Sequence, residues 1–207
     1  MQYDNTVLII VAFYLLVVFL IGNLSRGKST QSLEDYFVAG RSTGPIVSYL
    51  TYVATFHSSF TFLGAAGWLY SRGITFFAAF TSCVVSPMMI YFIGRPAWYI
   101  GQKHNFLTQG ELLGDYYEST FLQGLVGGMT LIFLVPYLQS QLMAGGYIFE
   151  TISNGRIPYW LGTIILYVII TGYILLGGFR AVAWNDSFQS IVMLTMAYIA
   201  GGIVMGK

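Results

Sequence analysis

Charged residues are scarce: 9 Lys and Arg and 8 Asp and Glu among 207, or 8%, leaving a net charge of +1. Soluble domains carry about a quarter charged residues, so an ordinary water-soluble globule is excluded. Without a basic excess the chain cannot neutralise a phosphate backbone, which removes nucleic acid as a partner. The single cysteine, Cys83, excludes an intrachain disulfide framework and a cysteine-rich transition-metal site. Two histidines and eight carboxylates, mostly outside the apolar stretches, are thin material for a catalytic centre, so the chain does not read as an enzyme. What is plentiful is apolar: 56% of residues are hydrophobic, with mean hydropathy +0.69. The chain reads as an integral membrane protein.

Six stretches carry no Asp, Glu, Lys or Arg: Asn5–Ser25, Ser42–Ser71, Gly73–Gly94, Ser119–Phe149, Ile157–Phe179 and Ser187–Gly206. Each matches or exceeds the roughly 20 residues that an α-helix needs to span the hydrocarbon. A charge at mid-membrane costs about 2.5–3.5 kcal/mol on insertion scales, which accounts for such clean gaps. A membrane β-barrel would show alternating segments of about 10 residues, and VLIIVAFYLLVVFLI does not alternate. The expectation is an all-α protein with six transmembrane helices in one membrane domain, 1–207. The first stretch does not read as a cleaved signal peptide, because Met1–Asp4 carries no positive charge and no small-residue cleavage site precedes Arg26. Six spans place Arg26, Lys28, Arg41, Arg95, Lys103 and Arg180 on one side and Arg72, Arg156 and Lys207 on the other. The richer side is expected in the cytoplasm of a plasma-membrane protein whose N-terminus is outside.

The longest loops are Arg26–Arg41 and Arg95–Glu118, and FLTQGELLGDYY in the second has the spacing of a short surface helix. Pro45 and Pro158 stand near span starts, where a missing N–H is harmless. Pro87 and Pro136 fall inside spans and should kink the helix or free a carbonyl. Glycines such as Gly124 and Gly128 read as packing surfaces, and Gly177-Gly178 as the turn between spans five and six.

Span two is unusual. TYVATFHSSFTFLGAAG gathers Thr51, Thr55, His57, Ser58, Ser59 and Thr61 within about three helical turns. Such hydroxyls either bond back to their own helix or mark a helix meant to be interrupted. Irregular backbone at membrane depth survives only where protein buries it or where it lines a watery cavity, and it presents hard oxygen ligands to a small cation. His57 is either an intramembrane proton or substrate group or a neutral imidazole bonded to a neighbouring helix. Pro136-Tyr137 followed by Gln139, Ser140 and Gln141 either faces a cavity or bonds between helices. Asp186 is explained by a helix dipole at the start of span six or by attraction for a departing cation. Arg180 and Trp184 read as interface anchors.

DYFVAGRSTGP, ATFHSSFTFLGAAGWLYSRG and GGFRAVAWNDSFQ together resemble the sodium:solute symporter family of proline, sugar and pantothenate carriers. The resemblance implies an inverted-repeat (5+5) fold, with 5–25 as an extra N-terminal helix and 42–207 as the first five-helix repeat. It also implies an N-terminus outside. Residue by residue, it assigns the broken helix to Ala54–Ser58 and backbone sodium ligands to Ala54 and His57. Ser58, Thr61 and Tyr137 match substrate-facing or cavity positions, and Asp186 matches an aspartate on the ion-exit route. Proline carriers have an aspartate where this chain has Phe56, which argues against proline as substrate. The second repeat, which completes the sodium site, is absent from these 207 residues. The implied function is symport of a small polar organic solute with sodium, the sole ion and no other cofactor, by a chain that forms an N-terminal part. The other reading is a transporter-like input domain of a membrane sensor.

Overall fold

In a computed structural model, residues 5–25, 32–59, 61 and 64–206 are described; the flank Met1–Asp4 and the charges Arg26, Lys28 and Lys207 lie outside them. Among the described residues every regular element is helical: α1 (Asn5–Leu24), α2 (Leu33–Val38), α3 (Pro45–Phe56), α4 (Ala65–Arg72), α5 (Phe76–His104), α6 (Gln109–Tyr116), α7 (Thr120–Ile152) and α8 (Tyr159–Met205). Three of them are long and apolar enough to cross a membrane: α1, α7 and α8, while α3 is apolar but short. The chain divides into two compact units, one formed by 1–58 with 142–207 and the other by 59–141.

In the first unit, α1 and α3 both lie along α8. The 47 residues of α8 hold two hydrophobic stretches, because Gly178 (φ 57°, ψ −153°) breaks the helix into arms 159–177 and 179–205. Gly177-Gly178 therefore does separate the last two hydrophobic stretches, with a one-residue break in place of a loop. The core is Val18, Tyr173 and Ala181, flanked by Tyr14, Ile170 and Phe188. The end of α7 packs on the first arm through small residues: Gly146 against Thr163 and Tyr159, and Gly162 against Phe149. Close approach between such backbones is how helices bind in lipid, where no hydrophobic force separates helix from solvent.

The short α2 begins at Ser32, whose hydroxyl accepts from the Asp35 N–H at 3.0 Å, and places Glu34 and Asp35 in the first turn, where the dipole favours them. Ala39, Gly40 and Arg41 then all take positive φ, folding the chain back towards α3, and Arg41 pairs with Glu34 at 2.8 Å. Pro45 occupies the first turn of α3 and Pro158 caps α8, as their positions predicted.

In the second unit, α6 is the expected short helix, started by a capping box between Thr108 and Glu111. Two expectations need correction. Arg95–Glu118 is not a loop, because α5 continues through Pro96 to His104 before the chain turns at Asn105 (φ 57°). Charges mark where a helix leaves the hydrocarbon, not where it ends. Pro87 and Pro136 sit within continuous helices, each removing one ladder bond and so freeing a carbonyl, the second of the two outcomes expected of them. Gly124 and Gly128 pack nothing, since a Cβ on either would meet no described atom within 4 Å.

Along α7, consecutive residues Leu131, Ile132, Phe133, Leu134 and Val135 are all exposed. A helix apolar all round is at home in lipid or deep in a protein core.

Candidate functional site

The last ladder bond of α3 runs from the His57 N–H to the Val53 carbonyl at 3.1 Å. His57 itself leaves the helix (φ −92°, ψ 79°), and Ser58 is not helical. The carbonyls of Ala54, Thr55 and Phe56 thus lie past the ladder, as the final carbonyls of any helix do. The His57 Nδ1 stands 2.9 Å from the same Val53 carbonyl. A carbonyl only accepts, so Nδ1 donates in this contact, which stays within the residue's own helix; it is neither of the two roles expected, a proton or substrate group or a bond to a neighbouring helix.

The hydroxyls of this stretch behave in two ways, one the expected bond back to the own helix and one a bond between helices. Thr55 bonds back to Thr51 at 2.9 Å, whereas Thr51 reaches the Ala183 carbonyl on α8 at 3.4 Å. In the second unit the Ser59 N–H and hydroxyl both donate to the Gln141 Oε1, at 3.0 and 2.6 Å. Ser140 bonds back to Tyr137 at 2.7 Å.

Beside the end of α3 lies a cavity of about 240 Å³, lined by Tyr14, Ala54, His57, Gln189, Ser190 and Met193. That volume has room for several waters. Three helices build it: α1 supplies Tyr14, α3 supplies Ala54 and His57, and α8 supplies Gln189 and Ser190. Ser190 is fully buried and donates to the Leu50 carbonyl at 2.6 Å, fixing α3 against α8.

Of the residues singled out in the sequence, Ala54 and His57 come together on this cavity. Ser58 is half-buried immediately after the break, and Thr61 and Tyr137 belong to the second unit, half-buried and exposed respectively. Asp186 is half-buried two turns into the second arm, which overturns its placement in a first turn; the helix dipole no longer explains it. Arg180 is also more than an interface anchor, because its Nη2 lies 3.4 Å from the Asp35 carboxylate, the Ala39 carbonyl and the Ser42 hydroxyl. Sequence reasoning missed Tyr14, Gln189 and Ser190. The last two stand three and four residues after Asp186, a helical spacing that puts them near it. Tyr14 gave no signal, being one aromatic in an apolar helix.

The model of the sodium:solute symporter family matches residues 36–207. The chain belongs to that family. It is 28% identical over 201 residues to the uncharacterized symporter YhjB of Bacillus subtilis, covering 95% of this chain and 40% of that protein. It is 32% identical over 184 residues to the sodium/pantothenate symporter of Escherichia coli, covering 87% and 38%. It is 27% identical over 192 residues to the sodium/proline symporter of Staphylococcus aureus, covering 90% and 37%. The chain thus spans about two-fifths of the length of the curated relatives it matches. No solved structure matches it.

Proposed function

We propose that this chain is the N-terminal part of a plasma-membrane carrier that couples sodium influx to uptake of a small polar organic solute. The supporting observation is the end of α3, where helical backbone stops at His57 and the carbonyls beyond the ladder lie beside a cavity. A sodium ion crossing the bilayer must exchange its hydration shell for fixed oxygens, and a helix end offers them without a formal charge. Backbone oxygens of Ala54 and His57 hold the ion, Ser58, Thr61 and Tyr137 contact solute, and Asp186 draws the ion on towards the cytoplasm. The membrane potential supplies about 2.3 kcal/mol per charge per 100 mV, enough for a gradient of roughly fiftyfold.

The fold under this reading has six spans: α1, the interrupted stretch from α3 to α4, α5, α7 and the two arms of α8. Of these, α1 is the extra helix and the other five form the first repeat of a 5+5 fold, with the N-terminus outside. A second repeat supplies the remaining sodium ligands. Pantothenate and proline, named for two relatives, define the solute class to test. Phe56, where proline carriers have an aspartate, weighs against proline itself. The test is uptake of radiolabelled pantothenate and proline into proteoliposomes holding the product of the complete reading frame. Uptake of either should be driven by an inward sodium gradient, absent in potassium and lost when the gradient is dissipated; uptake indifferent to sodium would overturn the proposal. Residues 1–207 alone should give no sodium-driven uptake.

A further inference from the structure

We infer that Asn185 is a relay ligand for the coupling cation, one helical turn beyond the cavity at the end of α3 and walled by α1. This rests on the sodium reading above and adds to it a residue and a wall. Asn185 is 0% exposed, and among the described residues neither its Oδ1 nor its Nδ2 has a hydrogen-bond partner. Buried amides are almost always paired, and an orphan calls for a reason such as a water, an ion or a functional strain.

The placement supplies that reason. Asn185 precedes Gln189 by four residues, so the two share one face of α8 about 6 Å apart along the axis. Gln189 lines the cavity. Asp186 adjoins Asn185 and enters neither of the two ion pairs found among the described residues. On the opposite side, α1 runs close: a Cβ on Gly22 would stand 2.9 Å from the Asn185 Nδ2 and 2.6 Å from the Tyr173 Cβ. Two turns earlier on the same helix, Tyr14 borders the cavity. Cavity and orphan amide therefore share two walls, α1 and the second arm of α8. An uncharged amide oxygen binds a small cation weakly enough to release it, which is what a transit position requires.

Leucine repeats the branched outline of asparagine without polar atoms but is larger, so Asn185→Leu removes the relay and the orphan together and adds volume to a tight site. The product of the complete reading frame is compared with N185L and N185D for equilibrium binding of radiolabelled sodium in detergent, radiolabelled sodium flux in proteoliposomes, and thermal midpoint. N185L should bind sodium within about twofold of wild type, with a thermal midpoint lowered by its extra volume, while its flux falls about tenfold, the scale of one lost ion contact. N185D, which keeps an oxygen but adds a charge, should bind sodium at least as tightly as wild type and release it more slowly, so its flux should fall as well. Wild-type flux in N185L would overturn the inference. So would parallel loss of binding, flux and thermal midpoint, which would mark Asn185 as a packing residue only. A wild-type protein that binds no sodium would overturn the sodium reading itself, and the relay with it; normal binding with unchanged N185L flux would overturn the relay alone.

Discussion

The first unit contains one helix broken at Gly178 and another that stops at His57, and they are finished differently. At Gly178 the break is sealed. The Ile174 carbonyl accepts the Tyr36 hydroxyl at 3.3 Å, and the Tyr36 backbone packs onto the glycine. Arg180, two residues on, is tied to Asp35, Ala39 and Ser42. At His57 the helix ends beside a cavity, with the Val53 carbonyl taking two donors. A broken helix is thus not a site in itself. What separates a hinge from an ion site is whether neighbouring groups satisfy the freed oxygens or leave them for a ligand.

The sharpest way to break the sealed end is Gly178→Ala. The residue has φ 57°, and a Cβ would meet the Tyr36 carbonyl at 2.6 Å, so strain and clash together should cost about 2–4 kcal/mol. A thermal midpoint equal to wild type would show that the seal is loose. Next comes the support of the open end. Ser190→Ala removes a buried hydroxyl's bond to the Leu50 carbonyl, which keeps its ladder donor, and should lower stability by about 1.5 kcal/mol in denaturant titration. It should also weaken sodium binding, because α3 loses one of its ties to α8. Tyr36→Phe removes one half-buried hydroxyl from the sealed break and should cost only about 0.5–1.5 kcal/mol, with sodium binding unchanged. The smallest effect is expected at Thr55→Val. Its exposed hydroxyl bonds back within the same helix, so stability should move by less than about 0.5 kcal/mol in the same titration.

Much of this contrast is legible in the sequence. Hydroxyls, an imidazole and glycines crowded into span two announce an interruption, and paired glycines between two charge-free stretches announce another. Which break is sealed is not legible, because Tyr36 and Ile174 are 138 positions apart. Asn185 escaped notice for a related reason. In NDS one polar residue looks like the next, and only the position of α1 decides that Asn185 is enclosed while Asp186 is half-buried. Gly124 and Gly128 were misread because a motif states what could pack and not what does. The Arg95 segment was misread because helix length is set by backbone bonding, which continues into water, whereas charge patterning reports only the hydrocarbon edge.

The most direct test compares amide hydrogen exchange at the two breaks, in the product of the complete reading frame, in sodium and in potassium buffer of equal ionic strength. Sodium should slow exchange in a peptide covering 54–58 and leave one covering 174–179 unchanged. Equal exchange at 54–58 in both buffers, or the same sodium response at both breaks, would contradict the assignment of the ion to the end of α3.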